Sequence, residues 1–277
     1  MNATQAYIYQ DARYYPAGED LPHLPSVTTV LGKTEDYATM KALENWGKKN
    51  PGGKEAAANR GTRVHGMAEE YLLTKNIYSA RKEEMDLFMQ LKTKLLDRFE
   101  SVSWVEGGVN GSTDLDRVYS LEYGFAGKPD WVGRFNDPAL GTLNMMFDLK
   151  TSKQKYCAFE PMRSCPDFRE RNIGYKKYSK CKMQIAAYTY ALNALTGWDL
   201  KHAGMAIAIF GTNEIQYFYM DEQDLAEGWK QFQHRLEIFY RKAQQGKLTL
   251  PNGGYIPDRY YQEPKPKATR KRKTPSA

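Results

Sequence analysis

The sequence predicts an α/β chain, of the α+β kind, with a mixed central sheet flanked by helices. Three observations predict it. Helical periodicity dominates residues 25 to 99. Short β-rich runs divided by Gly and Asn/Asp signals follow, from about 101 to 150. The remainder then alternates helix, two strands and helix. The chain has 277 residues, 41 % of them hydrophobic, enough for one domain with its own core.

The elements follow in order. Residues 7 to 24, rich in Tyr and Pro, predict a loop or hairpin. "PSVTTVLG" (Pro25 to Gly32) predicts a short helix with Ser26 as its N-cap. "YATMKALENWGKKN" is helical until Pro51, Gly52 and Gly53 break it. "KEAAANRGTRVHGMAEEYLLTKN" predicts one helix with a bend near Gly61. In "SARKEEMDLFMQLKTKLLDRF", Met85, Phe88, Leu91 and Leu95 recur at three and four, the period of an amphipathic helix. "SVSWVEGGV", "DRVYSLEYG", "KPDWVGRF" and "TLNMMFDLK" read as strands. A basic, aromatic stretch runs from Lys153 to Lys182, and the helix "KCKMQIAAYTYALNALTG" ends at Gly197. "HAGMAIAIF" and "NEIQYFYM" form a strand pair. A last helix is capped by Asp221, striped with Leu225, Trp229, Phe232, Leu236 and Phe239, and ended by Gly246.

Composition narrows the function classes. No apolar run approaches a membrane span, and the N-terminus lacks the basic-then-apolar pattern of a secretory signal, so the expectation is a soluble, intracellular protein that uses no membrane. Cys157, Cys165 and Cys181 match no disulfide framework and no zinc or iron–sulfur spacing. The net charge of +7 is uneven, because residues 262–277 carry six Lys and Arg against Glu263. The expected organisation is a single domain over 1–260 and a disordered basic tail over 261–277. With the body near balance, global charge alone does not establish nucleic-acid binding.

The chemistry centres on "MMFDLKTSK" (Met145 to Lys153). On an extended strand Asp148 and Lys150 share a face, roughly 7 Å apart along it, while Phe147 and Leu149 point the other way. "NDPALG" (Asn136 to Gly141) is a turn. A hairpin centred near Ala139 sets Asp130 opposite Asp148, about 5 Å away on the same face. Two carboxylates so placed repel by about 4 kcal/mol at an effective dielectric of 20. A hard divalent cation offsets that repulsion. Lys150 beside it can orient or deprotonate an attacking water, or stabilise charge on a phosphate. Two helical pairs add to this: His65 with Glu69, and Gln184 with Tyr188, each four apart and so on one helical face. Taken alone, each pair reads more readily as an ordinary packing or surface contact.

Together these segments resemble the PD-(D/E)xK nuclease superfamily in its RecB-like branch. The match runs through Gly61 to His65, Gly127 to Asp130, Asp148-Leu149-Lys150, and Gln184 to Tyr188. The flanks "PSVTTVL", "NRGTRVHGMAEEYL", "GFAGKPD", "DLKTSK" and "QIAAYTYAL" look most like the mitochondrial genome maintenance exonucleases and their phage-encoded relatives, from about Pro25 to Gly246. The resemblance implies a restriction-endonuclease-like fold and a DNA exonuclease dependent on Mg²⁺ or Mn²⁺. Such an enzyme would favour single-stranded ends and serve recombination, repair or degradation, in the host cytoplasm if phage-encoded, beside a recombination or replication protein. It implies Asp130, Asp148 and the Leu149 carbonyl as metal ligands, Lys150 as the catalytic lysine, and His65 as a further ligand or metal-shell residue. Gln184 and Tyr188 would position the scissile strand, with Thr151 and Ser152 beside them. Glu69, with Glu70 as its competitor, and Glu106 or Glu122, before the Gly-x-x-Asp segment, are the remaining acidic candidates. A double-strand-specific recombination exonuclease and a non-catalytic DNA-binding subunit with a nuclease-like fold are the alternatives.

One departure from the family is an insertion near 156–180. Its Arg163, Arg169, Arg171, Lys176, Lys177 and Lys180 alternate with Phe159, Phe168, Tyr175 and Tyr178. Cations track phosphates and aromatic rings stack on unpaired bases. The stretch either lines a single-strand channel or packs on the body.

Overall fold

The computed structural model describes residues 6–18, 21–77, 81–105, 108–109, 116–251 and 254–261. Glu106 and the tail from 262 onward lie outside them. The architecture is mixed α/β, as the element pattern predicts. The central sheet has six strands among the described residues: β4 (Phe99–Val105), β5 (Gly108–Val109), β8 (Trp131–Asp137), β9 (Gly141–Ser152), β10 (His202–Ile209) and β11 (Glu214–Met220), ordered β11-β10-β9-β8-β4-β5. Its pairs are antiparallel except β9 with β10. That parallel pair needs a crossover, and α5 (Phe168–Thr196) supplies it.

Helices cover both faces. On one side lie α3 (Gly53–Thr74) and α4 (Lys82–Lys94). On the other lie α5, α6 (Glu222–Gln244) and the short α1 (Val27–Lys33). The predicted N-caps form, with Ser26 accepting from the Thr29 amide at 3.0 Å and Asp221 from the Asp224 amide at 2.9 Å. α2 (Tyr37–Lys49) stands outside the core with no buried residue.

Several boundaries differ from the sequence reading. The Tyr/Pro-rich start is a three-stranded antiparallel sheet of β1 (Tyr7–Tyr9), β2 (Ala12–Pro16) and β3 (His23–Pro25). "DRVYSLEYG" contributes only β6 (Val118–Ser120), which pairs with β7 (Phe125–Gly127) apart from the main sheet. α5 begins at Phe168, twelve residues before Lys180, so half of the expected insertion is the first part of the helix that carries Gln184 and Tyr188. Its Gly174 packs so closely that a Cβ there would lie 2.7 Å from the Lys155 carbonyl.

The strand that carries Asp148 is fixed by its apolar side chains. Met145, Phe147 and Leu149 are fully buried toward α3 and α4, whereas Met146 is buried on the α5 face. The Phe147 ring lies 4.8 Å from both Phe99 and Phe135. Each such burial stabilises by about 1.5–3 kcal/mol, so slipping the register by one residue would expel these groups and carry Asp148 into the wrong layer.

Candidate functional site

The hairpin register sets the two acids close. Trp131 pairs with Phe147 and Asp137 with Gly141, the register expected from a turn centred at Ala139. Asp130 stands one residue before this ladder, at the end of β8. Its Oδ2 accepts the Leu149 amide at 2.6 Å. Thus the contact shown for Leu149 is its N–H on the neighbouring carboxylate. His65 Nδ1 lies 3.6 Å from the same oxygen. One turn earlier on α3, a Cβ at Gly61 would sit 3.1 Å from the Thr151 hydroxyl, so glycine there lets the helix approach β9.

Asp148 is fully buried on the opposite face from Phe147. Its Oδ1 accepts from Gln184 Nε2 at 3.1 Å, and that amide also donates to the Tyr188 hydroxyl at 3.2 Å. Its Oδ2 lies 2.5 Å from Lys150 Nζ. Oδ2 is thus a buried oxygen whose partner is the Lys150 ammonium. Burial and the nearby Asp130 push the Asp148 carboxyl up to about 6, against the opposing pull of Lys150. Burial also opposes the Lys150 charge, but Asp148 and Asp130 outweigh it and hold its pKa above the ordinary lysine value. Lys150 is therefore a cation at neutral pH. Of its three expected roles, orienting water and stabilising phosphate charge suit this state, whereas deprotonating water requires the neutral amine first.

The arrangement revises several expectations. Gln184 and Tyr188 are buried behind Asp148 and contact it and each other; in this arrangement they hold the carboxylate rather than face a strand. Gln184→Leu is therefore expected to lower any Asp148-dependent activity by about 10- to 100-fold, the usual effect of losing an outer partner of a ligand, with little change in KM. Ser152 is buried too, and its hydroxyl accepts the Gln154 amide at 3.1 Å, which makes it a cap on the strand end. Thr151 is half-buried under Gly61. Glu122 does not join the site. It sits in the turn between β6 and β7, exposed, and pairs with Arg259 at 2.7 Å. Glu69 follows His65 by one turn and is half-buried. Among the described residues no three His, Cys, Asp or Glu side chains form a cluster able to hold a metal ion. The carboxylates of the site are Asp130 and Asp148, and a cation that keeps several waters would suit so few protein ligands.

Three neighbours were not apparent from sequence: Tyr156, Lys177 and Cys181. With Gln184 and Tyr188, Lys177 and Cys181 make one stripe along α5 at spacings of four, three and four. The signal was present, but masked by placing the helix start at Lys180. The Cys181 thiol is pushed up to about 12 by burial. All three cysteines are free. Gln216 clamps the Tyr156 backbone, accepting its amide at 2.7 Å and donating to its carbonyl at 3.3 Å.

Of the basic, aromatic stretch, Tyr178 is buried in the core, edge-on to Phe218, and cannot stack on a base. Lys176 and Lys180 pair with Asp36 and Glu35. Phe159, Arg163, Arg169 and Arg171 remain exposed. No protein-family model matches the chain, and no curated protein matches it.

Proposed function

We propose that this chain is a PD-(D/E)xK-type deoxyribonuclease, dependent on Mg²⁺ or Mn²⁺, that hydrolyses phosphodiesters from single-stranded DNA ends. The observation that carries this reading is that buried Asp148 lies 2.5 Å from Lys150 and within the field of Asp130, whose own carboxylate takes the Leu149 amide between them. Asp130 and Asp148 would hold the ion; bound there, it supplies Lewis-acid stabilisation of phosphate charge and activation of water. The chain's own groups set the geometry. The Leu149 amide and His65 fix Asp130, and Gln184 fixes Asp148. Lys150 offers a permanent positive charge to the phosphate. Phe159, Arg163, Arg169 and Arg171 offer one ring and three cations to an incoming strand. Among the described residues no helix is long and apolar enough to cross a membrane.

The deciding experiment is digestion of end-labelled single strands, blunt duplexes and closed circles, with Mg²⁺, Mn²⁺ or chelator. Release of nucleotides from single strands, dependent on the cation, supports the reading. Preference for the duplex favours a recombination-type exonuclease, cleavage of circles an endonuclease, and retention without cleavage a non-catalytic subunit. The pH dependence is specified as well. Asp148 must lose its proton before a cation binds, so Mn²⁺ affinity should fall about tenfold per unit below about pH 6 and level off above it. A calorimetric titration from pH 5 to 8 measures this, and a flat profile contradicts it.

A further inference from the structure

A cavity of about 540 Å³ lies between α3 and the start of α4. Four cations, Arg60, Arg63, Arg81 and Lys82, line it with two acids, Glu83 and Glu84. Glu84 is buried and its charge is matched by Arg63, whose Nε and Nη2 lie 2.7 and 2.6 Å from Oε1. Arg81 also acts on Glu84, whose Oε2 is buried without a hydrogen bond among the described residues; the lining as a whole still sets four cations against two acids, an excess of positive charge. Arg60 Nε is buried with no hydrogen-bond partner among the described residues, while its guanidinium lies 5.1 Å from the centre of the Phe210 ring. α4 is a 13-residue helix whose N-cap, Arg81, makes no side-chain capping bond. The Glu84 amide is already taken by the Arg81 carbonyl at 3.0 Å, so the lining cations, not the helix start, supply the attraction for an anion.

The cavity is tied to the candidate site. Phe210, under Arg60, donates its amide to the Ser152 carbonyl at 2.9 Å, two residues beyond Lys150 on β9. The spacing of Arg60 and Arg63 turns them to the flank of α3 away from His65, about 10 Å across the helix.

We propose that this cavity is an anion subsite that takes a nucleic-acid phosphate, terminal or internal, outside the catalytic centre. The identity of the anion rests on the nuclease reading; its binding does not depend on hydrolysis. The test is fluorescence anisotropy of a labelled single-stranded oligonucleotide in chelator, with a 5′-phosphate, a 3′-phosphate or hydroxyls at both ends. Arg81 and Lys82 are exposed, so Arg81→Gln/Lys82→Gln leaves the fold intact. The pair should raise Kd at least about tenfold and reduce the log–log salt slope by about 0.7, the expectation for one lost phosphate contact on a single strand. Glu83→Gln should tighten binding. A loss confined to phosphorylated ends identifies a terminal phosphate, and an equal loss for all three identifies an internal one. No binding by the wild type, an unchanged Kd and slope, or the same loss in Lys230→Gln/Lys247→Gln, with Lys230 on α6 and Lys247 just beyond its end, would overturn the subsite. A protein that is inert in the Mg²⁺ and Mn²⁺ digestion, yet in chelator binds through Arg81 and Lys82, would sink the nuclease reading and leave the subsite standing.

Discussion

Asp148→Ala is expected to lower hydrolysis of an end-labelled single strand by at least about a thousandfold, or about 4 kcal/mol of transition-state stabilisation. The variant loses one of only two carboxylates available to a cation. It also leaves the Lys150 ammonium beside the α5 face without its nearest counter-charge. Removing one partner of a buried pair costs about 3–5 kcal/mol, and the partial exposure of Lys150, 25 % of its side chain, brings the figure to about 2–3 kcal/mol. Lys150→Met should abolish activity to a similar degree. Combined with Asp148→Ala, it should recover most of the lost stability, since the orphaned charge is gone. Thermal melts of the four proteins beside the activity assay separate the two effects. Hydrolysis that survives in a folded Asp148→Ala protein refutes the assignment.

Gly127→Ala is the second large effect, although residue 127 touches neither carboxylate. A Cβ there would lie 2.3 Å from Tyr188 Cε1 and 3.1 Å from its hydroxyl. The ring is buried against the core and has nowhere easy to go. Overpacking of this kind costs about 1–3 kcal/mol. A displaced Tyr188 moves Gln184, and Gln184 holds Asp148. Activity should therefore fall about 10- to 100-fold, through kcat rather than KM. Tyr188→Leu in the same chain should restore stability by making room, but not activity, because the chain of hydrogen bonds to Asp148 stays broken. Wild-type activity in Gly127→Ala would show that Tyr188 is not part of the support for the carboxylate.

How much of this was legible in the sequence depends on the range of the interactions involved. The hairpin register was legible because a turn bounded by Pro138 and Gly141 fixes pairing locally, and strand alternation then separates Asp148 from Phe147 and Leu149. His65 beside Asp130 was reachable only through the family resemblance, because helical spacing sets His65 with Glu69 and says nothing of Asp130. The start of α5 was not legible. Its first turns are basic, and their core contacts, Gly174 and Tyr178, are too sparse to show a stripe. The contact of Gln184 with Asp148 was not legible, because a helical spacing says which residues share a face, not what that face meets. Here it meets a buried carboxylate. Glu122 failed for the same reason, since its partner, Arg259, lies 137 residues away in sequence.

The most direct test of the central claim is Mn²⁺ binding at pH 7.5, followed by electron paramagnetic resonance in wild type, Asp130→Asn, Asp148→Asn and Glu122→Gln. The account expects saturable binding in the wild type and in Glu122→Gln, and its loss in both aspartate variants. Binding that persists unchanged in Asp148→Asn, or is absent from the folded wild type, would contradict it.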